Sequence, residues 1–254
     1  MLIEIKNVYK NFNSKRVLNG ISLTIGKGET KVIIGRSGCG KSVLLKHIMR
    51  ILKPDSGTIT LDGKDLAEIS SKELNRLRMR MAMVFQGGAL FDSLTVGENV
   101  GFALYEHSQL SSKEIKERVE EALCNVELCG IYELTPSELS GGMKKRVAIA
   151  RALCVRPEVV LYDEPTTGVD PITADSINEL IRSLHDKLKM TSIVVTHDMK
   201  SAYRVADKIA MLYNGKIIAE GAAGEIQNTQ HPVVYQFING LAKGPITETI
   251  EKFI

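Results

Sequence analysis

The sequence has little net charge and lacks any long apolar run. Its 33 Lys and Arg residues are nearly balanced by 30 Asp and Glu, which leaves a formal net charge of +3 over 254 residues. Proteins that bind nucleic acid are normally more basic and carry basic patches, so we predict no nucleic-acid partner. No apolar run approaches the roughly 18–20 residues that span a bilayer. Any role at a membrane therefore requires a partner protein.

Cysteine is also scarce, and its four residues lack the spacing of a metal site. Cys124 and Cys129 stand five apart, but no second pair and no nearby His completes a zinc site. We expect all four, including Cys39 and Cys154, to be free buried thiols in a reducing cytosol. The first residues alternate as in a strand and lack the charged and apolar regions of a signal peptide.

What the sequence does contain is a glycine-rich segment, Gly35–Ser42, that fits the pattern G-x-x-x-x-G-K-[ST]. The apolar run before it, Lys31–Ile34, is typical of a buried strand, and Val43–Met49 after it suits a helix. Strand, glycine loop and helix together are the context that this pattern needs. The loop and the helix N-terminus present backbone N–H groups to phosphates. We predict a nucleoside triphosphate site in which Lys41 reaches the β- and γ-phosphates and Ser42 binds Mg²⁺.

Strands and helices alternate along most of the chain. Apolar runs predict strands at residues 2–6, 21–25, 58–61, 81–85, 159–162, 192–195, 209–213 and 217–219. The pair Asn214-Gly215 predicts a hairpin between the last two. Helix starts are predicted at the capping boxes Ser70/Glu73 and Ser111/Glu114 and at Asp170-Pro171.

Helical patterns dominate two stretches. Residues of about 89–145 interrupt the alternation and are predicted to form an inserted helical subdomain, with an apolar face at Ile115, Val119, Ala122, Leu123 and Val126. A later helix is predicted to bury Ile177, Leu180, Ile181, Leu184 and Leu188. A short helical tail is predicted over residues of about 232–254. No repeat or long linker appears, so we predict one domain over residues 1–254.

Two further segments suggest ATP chemistry. Asp163 and Glu164 follow an apolar strand, and a carboxylate at a strand end beside a phosphate loop can hold Mg²⁺, usually through water. Glu164 would polarise a water for attack on the γ-phosphate, a contribution typically worth about 10²–10⁴-fold in rate. Leu139–Met143 places Ser and two glycines before a helical run, and N–H groups at a helix N-terminus form a second anion site.

The chain resembles the ATPase subunit of ATP-binding-cassette (ABC) transporters over essentially its whole length, because it contains the motifs of that family in the same order. They are Gly35–Ser42 (Walker A), Gln86 (Q-loop), Leu139–Met143 (signature), Val159–Glu164 (Walker B), Gly168–Asp170 (D-loop) and His197 (switch histidine). The resemblance implies an α/β P-loop NTPase with a RecA-like core and mainly parallel sheet. It also implies an N-terminal antiparallel β-subdomain, an inserted α-helical subdomain, and hydrolysis of ATP with Mg²⁺ to drive transport.

The resemblance also implies a role for each residue. Phe12 would stack on adenine, a role that Tyr9 is less suited to fill. The phosphate loop would contact ATP through Gly35, Arg36, Ser37, Gly38, Cys39, Gly40, Lys41, Ser42 and Val43. The catalytic residues would be Glu164, His197, Lys41 and Gln86. The residues that bind Mg²⁺ would be Ser42, Gln86 and Asp163. Ser140, Gly141 and Gly142 would contact the γ-phosphate bound to a second copy of the chain, and Asp170 would couple the two sites.

Three positions depart from the family pattern. Val43 replaces the usual hydroxyl residue, so one α-phosphate contact is expected to be missing. Met143 replaces the commoner Gln at the end of the signature, and Gly168 gives a looser D-loop. None of them removes a group on which hydrolysis must depend.

Several segments resemble one branch, the ATPases of MCE-type lipid transport, such as the maintenance-of-lipid-asymmetry system of Gram-negative bacteria. They are 85–92, 106–110, 138–143, 168–173 and 236–246. This branch implies a self-dimer, membrane permease subunits and an MCE-domain protein, at the cytoplasmic face of the inner membrane. The alternatives are an importer of another small solute, such as polar amino acids, and a soluble cassette ATPase of iron–sulfur assembly.

Three segments carry further local predictions. Gly87–Val96, with Ala89, Leu90, Phe91 and Leu94, is expected to form part of the groove that receives a permease helix; the alternative is simple packing of the helical insert. The tail after Gly240 is expected to pack against a neighbouring chain. Cys39 lies near a helix N-terminus, where thiols gain reactivity, so we expect bound ATP to protect it from thiol reagents.

Overall fold

The computed structural model describes residues 2–251, and the side chains of residues 2–248. Its backbone divides into two units, one made of Met1–Ala67 with Val195–Ile254 and the other of Glu68–Val194. Each unit contains its own strands and helices, and each carries part of the predicted site.

The first unit contains a four-stranded antiparallel sheet. Its strands are β1 (Ile3–Phe12), β2 (Lys15–Ile25), β4 (Ser56–Leu61) and β5 (Lys64–Asp65), in the order β2-β1-β4-β5. The predicted strands 2–6 and 21–25 were too short, because pairing continues through bulges into polar sequence where the apolar alternation is lost. Gly57 lies so close to β1 that a Cβ there would be 2.2 Å from the Asn7 carbonyl oxygen.

The same unit contains β3 (Thr30–Ile34), β9 (Lys208–Tyr213) and β10 (Lys216–Gly221), in the order β10-β9-β3. β3 runs parallel to β9, and β9 and β10 form the antiparallel hairpin predicted at Asn214-Gly215. Both turn residues have positive φ (48° and 74°), as a type I′ turn requires. Lys31 of β3 is fully buried and pairs with Glu29 at 2.9 Å and with Glu220.

Within residues 2–251, the helices of the first unit are α1 (Lys41–Ile48), α7 (Met199–Val205), α8 (Ala223–Gln227), α9 (Pro232–Ile238) and α10 (Pro245–Glu251). The buried amide of Gln236 fastens the start of α10, because its Oε1 accepts from Ile246 N at 2.7 Å and its Nε2 donates to Leu241 O at 3.1 Å. Ile246 is thereby buried within its own unit. The predicted contact of the tail with a neighbouring chain stays a prediction.

The second unit contains β6 (Met81–Val84) and β7 (Val159–Asp163), which pair in parallel and are wholly buried. β8 (Thr191–Thr196) follows them in the order β8-β7-β6, and the division between the units falls within it. Continuous apolar runs of this kind are typical of strands covered on both faces.

The helices of the second unit are α2 (Ser71–Met79), α3 (Val96–His107), α4 (Ser112–Asn125), α5 (Gly141–Cys154) and α6 (Pro171–Leu188). The predicted capping boxes at Ser70 and Ser111 are confirmed, and Thr95 with Glu98 forms another that we did not predict. The apolar face of α4 is buried as predicted. On α6 the prediction was wrong for Leu188, which is 41% exposed at the last helical residue.

The prediction of four free buried cysteines holds fully only for Cys154, because two of the others are paired and Cys39 is only half-buried. Cys124 and Cys129 form a disulfide, and both residues are exposed, whereas Cys39 and Cys154 are free. The five-residue spacing lets α4 end at Asn125 and the chain turn back, which brings the two Cα atoms to 4.4 Å. Over the described residues, no helix is long and apolar enough to cross a membrane.

Candidate functional site

The phosphate loop links β3 to α1 in the first unit. Gly35 is buried at φ 154°, and a Cβ there would lie 2.4 Å from the Leu212 carbonyl oxygen, so only glycine fits. Gly40 is the N-cap of α1 at φ 110°, a conformation that other residues rarely adopt. The chain can therefore turn tightly from a buried strand into a helix, as a phosphate-binding loop must.

Lys41 is the first residue of α1 and is only 5% exposed. Its Nζ donates to the carbonyl oxygens of Gly35 at 2.7 Å and Arg36 at 3.1 Å, so the ammonium group lies against the loop. The next two residues, Ser42 and Val43, are half-buried in the first turn of α1. The predicted Walker A arrangement of loop, lysine and hydroxyl is thus present.

A pocket of about 530 Å³ borders the loop. Its lining comprises Lys15, Arg16, Val17, Arg36, Ser37, Gly38, Cys39, Tyr213, Asn214, Gly215 and Ile246. Three of these side chains are cationic, which favours a phosphate-bearing ligand. Phe12 is 41% exposed, and it pairs across the β1–β2 hairpin with Lys15, which does line the pocket. Lys10 Nζ lies 5.7 Å from the centroid of the Phe12 ring.

His197 completes the site residues of the first unit. It is exposed and follows β8 directly. The next residue, Asp198, caps α7 by accepting from the backbone N–H groups of Lys200 and Ser201, each at 3.1 Å. A strand end and a capped helix therefore set the backbone position of His197.

The two predicted acids lie at the end of β7 in the second unit. Asp163 and Glu164 are each 7% exposed, which is low for charged side chains. Glu164 has φ 50°, and a non-glycine residue in this region carries strain of roughly 1–3 kcal/mol, a feature often found at active sites. Thr167 Oγ1 donates to Glu164 Oε2 at 3.2 Å. The structure thus holds a buried carboxylate in a costly conformation at the predicted catalytic position.

Lys145 of α5 is a residue that our sequence analysis missed. It is 7% exposed, and its Nζ donates to the backbone carbonyl of Gln86. Burial lowers the pKa of Lys145, and the negative charge of Glu164 opposes that effect. Its place in the basic run Lys144–Arg146, directly after the signature, gave no signal, since cations in helices normally face solvent.

Gln86 stands in a tight turn after β6, where Gly88 N donates to Phe85 O at 2.8 Å. Arg151 of α5 holds the end of that turn, because its guanidinium donates to Gly88 O at 2.7 Å and Ala89 O at 2.6 Å. Burial lowers the pKa of Arg151. The backbone of the predicted Q-loop is therefore fastened to the helix that begins at the signature.

Within the second unit, the signature and the D-loop lie side by side. Ser140 is the N-cap of α5 and accepts from Met143 N at 3.2 Å. A Cβ on Gly142 would lie 2.7 Å from Thr173 Cγ2, and one on Gly141 would lie 4.0 Å from Val169. The lack of a side chain at Gly142 allows this close approach, whereas the contact at Gly141 is an ordinary one.

Asp170 is the N-cap of α6 and accepts from the N–H groups of Ile172 and Thr173, each at 3.0 Å. The hydrogen bond from the Thr173 hydroxyl, followed by that from its backbone, lowers the pKa of the Asp170 carboxyl. Asp170 is therefore held as a carboxylate at the exposed start of a helix.

Comparison with known proteins identifies this set of motifs. The family model described as ABC transporter matches residues 18–167. Protein TRIGALACTOSYLDIACYLGLYCEROL 3, chloroplastic, of Arabidopsis thaliana is 46% identical over 97% of this chain and 76% of that protein. "Probable ribonucleotide transport ATP-binding protein mkl" of Mycobacterium bovis is 39% identical over 98% of this chain and 70% of that protein. The intermembrane phospholipid transport system ATP-binding protein MlaF of Haemophilus influenzae is 40% identical over 96% of this chain and 93% of that protein.

Solved structures agree with this assignment. A dimer of the ATP-binding cassette MJ0796 in a post-hydrolysis state, bound to ADP and Pi, superposes with a TM-score of 0.79 at 33% identity. The match covers 87% of this chain and 99% of that one. The predicted fold class is confirmed, and so are ATP binding and hydrolysis. The chain belongs to the ATP-binding subunits of the ABC transporter family.

Proposed function

We propose that ATP hydrolysis by this chain drives the transport of phospholipid or a related lipid between membranes, through a separate permease. The observation that carries the proposal is likeness over 96–97% of the chain to relatives whose names refer to lipids, at 40–46% identity. Because the general family model ends at residue 167, this likeness also includes the later part of the chain.

In the proposed reaction, the phosphate loop and Lys41 bind the phosphates, Phe12 stacks on adenine, and Glu164 acts as the base toward the attacking water. Burial of Glu164 supports this role, because a carboxylate shielded from solvent is a stronger electrostatic partner for a developing positive charge. His197 orients the γ-phosphate and the water. Proton transfer of this kind typically contributes about 10²–10⁴-fold.

The residues proposed to hold Mg²⁺ offer oxygen atoms, the donors that this cation prefers. They are the Ser42 hydroxyl, the Gln86 side-chain carbonyl and the Asp163 carboxylate. Asp163 ends a buried strand, so its side chain is held in place by β7 rather than by a mobile loop. When bound, Mg²⁺ would neutralise charge on the β- and γ-phosphates.

We propose further that two copies sandwich two ATP molecules. Ser140, Gly141 and Gly142 would meet the γ-phosphate held by the other copy, and Asp170 would couple the two sites. The dimer of the related cassette supports this arrangement, as does the exposure of Ser140 and Gly141 at the N-terminus of a 14-residue helix.

Exposed aromatic side chains support a permease contact in the second unit. Phe91 is 45% exposed and Phe102 39% exposed, with ring centroids 5.0 Å apart. Asn99 fixes the backbone of Phe91 by accepting from its N–H at 2.7 Å and donating to its carbonyl at 3.0 Å. A rigid, exposed aromatic pair suits an apolar helix from a partner. We propose that this permease contact holds the protein at the cytoplasmic face of the inner membrane.

An affinity pull-down in mild detergent tests the proposal, with Glu164→Gln and ATP used to hold the closed dimer. We expect a multi-span permease, an MCE-domain protein and co-purified phospholipid. The matched control adds Phe91→Ser, which should lose the permease while the protein stays folded and binds ATP.

Two other results would contradict the proposal. A permease recovered without an MCE-domain protein or phospholipid would favour an importer of another solute, consistent with the ribonucleotide relative. Recovery of soluble partners alone would favour a cassette ATPase of iron–sulfur assembly. Both results leave the ATPase assignment intact.

A further inference from the structure

A cavity of about 250 Å³ lies in the second unit, at the ends of three helices. Its lining includes Asn125, Cys154 and Leu188, the last residues of α4, α5 and α6. Small-molecule pockets typically measure about 300–1,000 Å³, so this cavity suits a short ligand. The phosphate-loop pocket is lined by residues of the first unit, so the two cavities are distinct.

Much of the cavity wall is apolar. The apolar lining residues are Ala122, Leu153, Cys154, Pro157, Leu188 and Met190. All of these are buried except Leu188, which is exposed at the end of α6. A hydrocarbon chain lying against this wall would remove its own surface and that of Leu188 from water, which favours binding.

The charged lining residues leave one positive charge without a partner. Arg156 Nη2 pairs with Glu121 Oε2 at 2.7 Å, so these two charges balance each other. Arg118 is half-buried, and it forms no hydrogen bond or ion pair within the part of the chain whose side chains are described. Glu114, one turn earlier on α4, accepts instead from Ser111 Oγ at 2.6 Å. The planar set of donors on the Arg118 guanidinium is therefore available, and it suits a carboxylate or a phosphate.

The helix ends decide what kind of anion fits. The last carbonyl groups of a helix carry partial negative charge, so the ends of α4, α5 and α6 oppose an anion that has no apolar part. We propose that the cavity binds a small amphipathic anion, a short acyl or alkyl chain that ends in a carboxylate or a phosphate. The anionic group would pair with Arg118, and the chain would lie against Leu153, Leu188 and Met190.

Isothermal titration calorimetry of the full chain without nucleotide tests the proposal, with octanoate and octyl phosphate as probes below their micelle concentrations. We expect saturable binding at one site per chain. Octyltrimethylammonium has the same chain with a positive head, and inorganic phosphate has the head without the chain, so neither should bind measurably. Comparable binding of either control would overturn the proposal, as would the failure of both octyl anions to bind.

Arg118→Met should weaken binding of the octyl anions roughly 10–100-fold, because it removes a charge-assisted hydrogen bond. The matched control is Lys113→Met, which removes an exposed cation from the same helix outside the cavity and should leave the affinity unchanged. Arg118→Gln replaces Arg118→Met if the latter does not fold. Unchanged affinity in a folded Arg118 variant, or an equal loss in Lys113→Met, would contradict the assigned role of Arg118.

Fluorescence locates the bound ligand. The chain contains no tryptophan, so Leu188→Trp introduces a single indole at the cavity, in an exposed position that can accept a larger side chain. We expect ω-bromooctanoate, whose bromine quenches nearby indole fluorescence, to quench it saturably at the Kd that calorimetry gives for the same variant. Binding without quenching would place the ligand elsewhere and overturn the proposal. Because these measurements need neither ATP nor a permease, their failure would leave the proposed transport function untouched.

Discussion

The phosphate loop in the first unit and the acidic end of β7 in the second both leave a fully buried strand, yet they present different chemistry. At Gly35 the conformation is possible because no side chain is present, and any Cβ would meet the Leu212 carbonyl. At Glu164 a charged side chain is itself buried, on a backbone at φ 50°. The phosphate loop therefore requires glycine, because a side chain would clash there. The end of β7 instead carries a charged side chain that is costly to bury.

Two buried lysines extend this comparison. Lys41 donates to carbonyls of the loop after β3, and Lys145 donates to the carbonyl of Gln86 in the turn after β6. Lys41 belongs to the loop that it contacts, whereas Lys145 reaches its turn from a helix far along the sequence. Mutations in the two regions should therefore have different effects on nucleotide binding, ATP turnover and stability.

Glu164→Gln should have the largest effect. Loss of the carboxylate removes the base, so we expect ATP turnover to fall about 10²–10⁴-fold, with ATP binding retained because the phosphate loop is untouched. Steady-state ATPase assays and equilibrium nucleotide binding measure the two separately. A parallel loss of binding would show that the two regions do not act independently.

Gly35→Ala should destabilise the first unit more than Gly38→Ala does. Gly38 has φ 75°, and no atom lies within 4 Å of the position that a Cβ would take, so alanine there costs about 1–2 kcal/mol of backbone strain. At Gly35 an overpacking cost of about 1–3 kcal/mol adds to such strain. Denaturant unfolding without nucleotide measures the difference, and equal free energies of unfolding would contradict the steric explanation.

Thiol labelling near pH 8 should distinguish the cysteines. Cys39 lines the phosphate-loop pocket, and ATP should slow its reaction several-fold. Cys154 should not react, because burial raises the pKa of its thiol to about 11. Cys124 and Cys129 should react only after reduction. Labelling rates followed by mass spectrometry test this, with Cys39→Ser as the control; equal rates with and without ATP would place Cys39 outside the nucleotide contact.

The smallest effect is expected at Asp55, beside the strand that carries Phe12. A hydrogen bond from Lys10 and then one from the Asn11 backbone lower the pKa of the Asp55 carboxyl from 3.8 to about 2. A depressed carboxyl pKa stabilises the folded state above the unfolded value and loses that effect as pH falls through the folded value. Asp55→Asn should therefore lower stability slightly at pH 7, and the difference from wild type should shrink between about pH 3.8 and pH 2. Denaturant unfolding across this range measures it, and a constant difference would contradict the assignment.

Features determined by neighbouring residues were predictable from sequence. The Asn214-Gly215 hairpin and the caps at Ser70, Ser111 and Asp170 need only local chemistry, and the structure confirms them. The phosphate loop was predictable because phosphate binding itself requires glycines, a lysine and a serine at this spacing.

Features that depend on distant contacts were not predictable in this way. The length of β1 follows from pairing through bulges, and Lys145 looks like any helical cation until α5 is packed near Gln86. The Cys124–Cys129 disulfide depends on where α4 ends.

The buried Lys31 affects how the strand before the phosphate loop is aligned in its sheet. It lies wholly buried on β3, four residues before Gly35, and pairs with Glu29 and with Glu220 of β10. A shifted alignment of β10 would remove Glu220 and leave the buried Lys31 ammonium with Glu29 alone, which is costly for an interior charge. The ion pair with Glu220 thus favours the native register of β10 in the sheet whose strand β3 leads into the phosphate loop.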